Sequence, residues 1–275
     1  MNNIAVNENS YKERIKASEL SFWLLSRGIS TATTKEIAEV LVIPKEHVSQ
    51  RLAAPKKRGE IVSLAHNLWA PIPPEYLTWG APPAIDFIDS LMNHMDLHYY
   101  VGWLSAASFL GASHHAPQVF QVAVSKAIRN RIIGRSKLMF FHRRHINQIR
   151  TYNFDTKSGK ALISSRETTI LDIANDIGIV GGVDNAANLI IELCEADKVN
   201  IELLVLLCEY YPTSAIRRLG YIMENFTVFA NLDQLVNISK ARNTAVSLLD
   251  PQYVSSGTIN KRWQLKINRE VEPDV

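Results

Sequence analysis

Between Thr33 and Ala70 the apolar side chains are spaced as two short helices followed by a hairpin, and no other stretch constrains the fold as tightly. Thr33 and Glu36 form a capping-box pair, which predicts a helix opening at Thr34 with Ala38 and Leu41 facing inward. Ile43 fills the turn. Val48 and Leu52, four apart, anchor a second helix whose other face carries Lys45, Ser49, Gln50 and Ala53. Pro55 has no N–H for Arg51, so this helix is expected to stop or kink by Ala54. Ile61 to Leu64 and Leu68 to Ala70 then read as two strands about Ala65, His66 and Asn67. The expected unit is a winged helix-turn-helix. Two positions depart from the common pattern: the turn that usually holds glycine has Val42, and Pro44 stands where a Ser or Thr cap is usual.

A short polar helix of this kind fits the major groove of duplex DNA, where Gln bonds adenine and Arg bonds guanine bidentately. Gln50 and Ser49 are the expected base contacts, and Lys45, Arg51, Lys56, Lys57 and Arg58 the expected phosphate contacts. A winged helix used as a protein-interaction adaptor is the alternative for the same pattern.

The net charge of +3 over 275 residues says little, but its distribution is zoned. From Leu97 to Phe154 there is no acidic residue, while Lys126, Arg129, Arg131, Arg135, Lys137, Arg143, Arg144 and Arg150 supply eight positive charges. From Glu167 to Asp233 the sign reverses, with 11 acidic residues against Lys198, Arg217 and Arg218. An acid-free cationic stretch suits phosphates, which makes Lys126, Arg129, Arg131, Arg135, Arg143 and Arg144 further candidates for DNA contact. A solvated basic face is the plainer alternative.

The polar first ten residues lead into an expected helix from about Tyr11 to Ser26, ended by Gly28. Prolines 71, 73, 74, 82 and 83 mark a stiff connection, so the expected domains are residues 1–75 and 81–275. In the second, helices are expected over Pro83 to Met95 and Val101 to Leu110. Strands are expected at Val119 to Val124, Leu138 to His142, Arg150 to Phe154 and Ala161 to Ile163. A helical half follows. Ser164 with Glu167 reads as a capping box, Asp184 as the cap of a helix to Ala196, and further helices as Ile201 to Tyr210, Ser214 to Asn225 and Leu232 to Arg242; Ala245 to Leu249 and Arg262 to Ile267 read as strands. The fold class is therefore α+β, an N-terminal winged helix-turn-helix before a mixed α/β domain with a small sheet and a helical C-terminal half. Cys194 and Cys208 sit in helical apolar patterns and read as buried thiols of a cytoplasmic protein. No stretch reads as a membrane span.

The run Tyr100 to Ala107 leading to His114, the run Ala116 to Val122, Glu167-Thr168-Thr169 with Leu171-Asp172, Gly181 to Ala186, and Arg217 to Tyr221 resemble the antitoxin domain of the AbiEi family of type IV toxin–antitoxin, or abortive-infection, systems. The resemblance spans roughly residues 15–230. It implies a bacterial autorepressor that binds its own operator, cooperatively or as a dimer, and an antitoxin domain counteracting a nucleotidyltransferase-like toxin without a stable complex. It also implies basic surface on the second domain in contact with DNA; no cofactor is expected. The expected wing tip carries no Arg or Lys, which speaks against strong minor-groove contact there.

The rival reading is a metal-dependent nucleic-acid-processing enzyme. His94 and His98 have metal-ligand spacing on a helix, and His114, His115, His142 and His145 lie within 51 residues of that pair. The carboxylates disagree: the strand from Val119 offers Val124 two residues before Lys126, where such a nuclease places an acid, and Asp86, Asp89, Asp96 and Asp155 show no site spacing. Gly181-Gly182 lacks the Lys of a phosphate loop, and Ser113 to His115 lacks an orienting acid. No catalytic or metal-ligating residues are assigned.

Overall fold

A computed structural model describes residues 15–112, 117–229, 231–253 and 256–273. Contacts divide the chain into two compact units, one of residues up to His94 together with Ile133–Arg135, the other of Met95–Ile132 and Ser136 onward. The division falls after the helix that the proline-rich connection was expected to place in the second domain.

In the first unit, α1 (Leu20–Ser26) precedes the two-residue strand β1 (Ala32–Thr33), which runs directly into α2 (Thr34–Leu41). The capping box at the start of α2 is complete: Thr33 N–H donates to Glu36 Oε2 at 2.7 Å and Glu36 N–H to Thr33 Oγ1 at 3.2 Å. Val42 ends the helix in the left-handed region at φ 54°, a conformation strained for a β-branched residue, with its side chain in solvent. α3 (Lys45–Arg51) starts after Pro44 and buries Val48; Leu52, also fully buried, is the break before the single turn α4 (Ala53–Lys57). Pro55 sits in that first turn, where a missing N–H costs nothing. The hairpin β2 (Ile61–Ala65) and β3 (Leu68–Pro71) follows, with β1 added on the far side of β3. Three bonds tie the hairpin to the helices: Ser21 Oγ–H to the Glu60 carbonyl at 2.7 Å, Trp69 Nε1–H to Thr34 Oγ1 at 3.0 Å, and Thr34 N–H to the Asn67 carbonyl at 3.0 Å. Leu20, Leu24, Ile37, Leu41, Val48, Leu52 and Ile61 form the core. α5 (Ala84–His94) packs on β3.

Two expectations here change. α1 begins at Leu20 because a turn occupies residues 17–19; the expected residues 11–14 lie outside those described. The strand β1 has no sequence signal beyond two residues and exists only because β3 offers it a free edge.

The second unit is built on a six-stranded mixed sheet of order β6-β7-β5-β4-β9-β8, comprising β4 (Tyr99–Val101), β5 (Val119–Val124), β6 (Arg131–Ile133), β7 (Ser136–His142), β8 (Thr151–Thr156) and β9 (Gly159–Ser164). β4 differs from the sequence expectation, in which Val101 opens a helix and Tyr99 and Tyr100 belong to no element. Its three residues are aromatic or β-branched and hydrogen-bond β5 on one side and β9 on the other, and α6 (Trp103–Phe109) begins only after Gly102. The helices α7 (Arg166–Asn175), α8 (Val183–Ala196), α9 (Ile201–Leu207), α10 (Thr213–Phe226) and α11 (Asp233–Ala241) complete the unit with a second sheet, β10 (Ser247–Leu248), β11 (Thr258–Asn260) and β12 (Leu265–Ile267), ordered β10-β12-β11. α7 packs against α6, α8, α9 and α10 and is buried all round from Glu167 to Ala174.

Two caps move. α7 is capped by Ser165, whose hydroxyl accepts from Thr168 N–H; Ser164 is still in the β9 ladder and its hydroxyl bonds Thr169 at 2.7 Å, while Glu167 accepts from Asn200 N–H at 2.9 Å. α8 starts from Gly182 rather than Asp184, whose carboxylate pairs with Arg269.

Residues beyond about 235, which matched nothing in the sequence reading, are held by two of the three cations of the acid-rich segment. Arg217 donates to the carbonyls of Thr244 and Ala245 and to Ser247 and Gln264, and Arg218 to the carbonyls of Leu248 and Ala174. Trp263 is fully buried against Gly220 of α10 and donates Nε1–H to Glu224 at 2.7 Å.

Candidate functional site

α3 is held by two apolar side chains, Val48 and Leu52, so everything else on it faces solvent: Lys45, Glu46, His47, Ser49, Gln50 and Arg51 are all exposed. At about 100° per residue, Lys45 and Arg51 lie about 60° to either side of the buried Val48. They form the two rims of the exposed face. Glu46 and Gln50, each two residues from Val48 and four from one another, point most directly outward. Their polar ends form no hydrogen bond or ion pair among the described residues. Lys56 and Lys57 on α4 are exposed as well. Arg58 is exposed but engaged: Nε and Nη2 donate to the two oxygens of Glu60 at 2.6 and 2.8 Å, and the guanidinium holds the Glu60 carboxyl below its ordinary range. Its charge is largely cancelled locally, so Arg58 drops out as a phosphate contact of full weight.

The turn of the hairpin is braced at both of its carbonyls. Asn67, at φ 61°, has its carbonyl bonded by Thr34 N–H, and the His66 carbonyl lies 2.8 Å from His94 Nε2. His94 is therefore the last residue of α5 and a partner of the turn, and the helical spacing expected for His94 and His98 does not arise, because α5 ends at His94. Among the described residues no group of three His, Cys, Asp or Glu side chains is placed to hold a metal ion; His114, His115 and Ser113 lie outside them.

In the second unit, β5 and β7 run parallel and end together at Val124 and His142, so Lys126 and Arg144, both exposed, leave the same end of the sheet. Arg129 is exposed and Arg131 half-buried, its Nη2 at 3.5 Å from Met95 Sδ. Arg135 is exposed in the first unit, its guanidinium 6.0 Å from the Trp79 ring centroid.

Arg143 is a correction. Its guanidinium lies over the Trp103 ring at 4.8 Å and is bonded to two carboxylates, Asp172 at 3.1 Å and Asp176. The charge expected to face DNA is used inside the unit. Asp172 itself is fully buried and also accepts from the hydroxyls of Tyr100 and Tyr211, each at 2.9 Å; Trp103 Nε1–H donates to Asp176 at 3.0 Å. Two carboxylates thus share one guanidinium, and burial pushes Asp172 up to about 6. Both tyrosine hydroxyls are driven well above their ordinary value, first by burial and then by Asp172. Trp103 holds a left-handed backbone, φ 49°, a strain offset by these contacts. The sequence reading missed this network, although one signal was available: an Asp within the apolar run Ile170 to Ala174 must be buried and must find donors.

The thiols do not add chemistry. Cys194 and Cys208 are free, and burial pushes both up to about 12, so they stay protonated at neutral pH.

The second unit is thus an α+β domain with a buried, hydrogen-bonded carboxylate, Asp172, in its interior. Residues 100–225 match the family model of the AbiEi antitoxin C-terminal domain. No curated protein matches the chain. Among solved structures, the RV2827C protein from Mycobacterium tuberculosis is similar at 16% identity over 90% of each chain, with a TM-score of 0.64, a likeness of fold. An antigenic nucleotidyltransferase-like protein from Paracoccidioides brasiliensis is similar over 46% of this chain and 78% of that one, at 10% identity and a TM-score of 0.32, and carries no argument at that level. Among the described residues no helix is long and apolar enough to cross a membrane.

Proposed function

We propose that the chain is the antitoxin of a type IV toxin–antitoxin system and represses its own operon, its N-terminal unit acting as a winged helix-turn-helix on operator DNA. The antitoxin half of this reading rests on the match of residues 100–225 to the AbiEi antitoxin C-terminal domain model. The DNA half rests on one observation. The exposed face of α3 has uncommitted hydrogen-bonding groups along its centre and cations at its rims, the arrangement that lets a helix address base edges while its flanks meet phosphates.

In this reading Gln50 and Ser49 contact bases, and Lys45, Arg51, Lys56 and Lys57 neutralise phosphates. Arg58 has a reduced share because Glu60 already binds it. The braced hairpin is the wing. Lys126, Arg129, Arg131, Arg135 and Arg144 remain as supporting cations, while Arg143 is structural. The partner of the second domain is a nucleotidyltransferase-like toxin, counteracted without a stable complex and without catalysis by this chain, and the site of action is the cytoplasm.

The test is a mobility shift of DNA from directly upstream of the chain's own gene against unrelated duplex of equal length. Preferential binding of the upstream DNA supports the reading, and equal affinity for both overturns its operator half. Growth of cells expressing the neighbouring toxin gene, with and without this chain, tests the antitoxin half independently.

A further inference from the structure

Resting on the proposed DNA reading, we infer that Glu46 is a specificity-determining residue that accepts a hydrogen bond from the N4 amino group of a cytosine. The argument starts from position. Glu46 and Gln50 are one helical turn apart and both about 160° from the buried Val48, so any surface that α3 lies against meets these two side chains first. Ser49 is only about 100° from Val48 and stands to one side.

Charge gives the second step. A carboxylate at the centre of a face brought against a polyanion is repelled by every phosphate around it, and Glu46 has no cation bonded to it among the described residues. The compensation available in a major groove is an exposed base amino hydrogen: cytosine N4 offers one with no acceptor beside it on the same base, adenine N6 offers one next to the N7 acceptor that repels a carboxylate, and thymine presents only an oxygen. Gln50, on the same line, is suited to an adenine one helical turn along the face. Glu46 thus acts in both directions: it favours cytosine by a bond, gains less at adenine, and rejects thymine and guanine by unrelieved repulsion, which is how a side chain adds specificity without adding affinity.

The experiment uses the full chain and a library of duplexes derived from its upstream DNA, with each base pair of the protected region varied in turn. The variants are Glu46→Gln, Glu46→Ala and, as a reference, Lys56→Ala. The wild-type protein is expected to prefer C·G over T·A at one position by about tenfold or more, Glu46→Ala to lose that preference while binding the other duplexes as tightly or more tightly, and Lys56→Ala to weaken all duplexes alike. Glu46→Gln is also expected to change the preferred base, because its amide donates where the carboxylate only accepts. The inference is overturned if both Glu46 variants strengthen binding to every duplex by the same factor, which makes the carboxylate a uniform repulsion, or if their preference profile equals that of the wild type. Failure of the underlying reading looks different: the wild-type protein itself then shows no preference for its upstream DNA.

Discussion

The guanidinium of Arg143 stands 3.1 Å from the fully buried carboxylate of Asp172, and this pair joins the acid-free segment of the chain to its acid-rich segment. With Asp176 also on Arg143, the cluster carries one negative charge in excess, and the hydroxyls of Tyr100 and Tyr211 spread it. Charge zoning that reads as a surface property in the sequence is here partly a device for building the interior.

The burial of Asp172 predicts a pH dependence. Asp172 is pushed up to about 6 in the folded protein, from an ordinary value of 3.8. Between these values the folded state holds a proton that the unfolded state releases, so the contribution is fully present below about pH 4 and is lost as pH rises through about 6. Urea unfolding of wild type and Asp172→Asn at pH 5 and pH 7.5 isolates it: the wild type should lose stability relative to the variant between the two pH values. A gap that moves the other way contradicts the assignment. At pH 5, Asp172→Asn is expected to cost about 3 kcal/mol, since an amide cannot accept all three donors, and at pH 7.5 it should cost less.

Gly220 and Trp263 make a second, purely steric prediction. A β-carbon at Gly220 would fall within the Trp263 ring, which is fully buried. Gly220→Ala, which on helix propensity alone would stabilise α10, is expected to destabilise the protein by about 2 kcal/mol. Adding Trp263→Leu should recover part of the loss, and a denaturation-based double-mutant cycle measures the coupling.

His94 predicts a local effect. His94→Ala removes the bond to the His66 carbonyl, worth about 1 kcal/mol or less at an exposed site, so global stability should barely change. Amide hydrogen exchange in the turn around His66 and Asn67 should nevertheless accelerate, and unchanged exchange there refutes the bracing role.

Phosphate contacts are graded rather than equal. Lys56→Ala and Lys57→Ala should each weaken binding to any duplex and lower the slope of log affinity against log salt by about 0.9, whereas Arg58→Ala should lower it less, because Glu60 already neutralises that guanidinium.

How far the sequence could be read follows from where its signals are local. The capping box at Thr33, the Val48 and Leu52 anchor and the turn at His66 and Asn67 are set by neighbours a few residues away, and each appears in the structure as the pattern implies. β1, β4, β6 and β11 are two or three residues long and are fixed by the strands beside them, which no short window contains. The cap at Ser165 was misplaced by one residue because Ser164 and Ser165 are chemically equal and only the β9 ladder separates them. At the candidate site, the cations of α3 and α4 were legible as exposed charge, but Arg143 was not: its partners Asp172 and Asp176 are about 30 positions away in the chain, and nothing local distinguishes it from Arg144.

The most direct test of the account is the affinity of the full chain for its own upstream DNA, measured by fluorescence anisotropy over a range of salt, for wild type and for Gln50→Ala. The account predicts a steep fall of affinity with salt for both proteins and a preference over unrelated duplex that the variant largely loses. Equal affinity of the wild type for upstream and unrelated DNA, or a preference that survives Gln50→Ala intact, would contradict it.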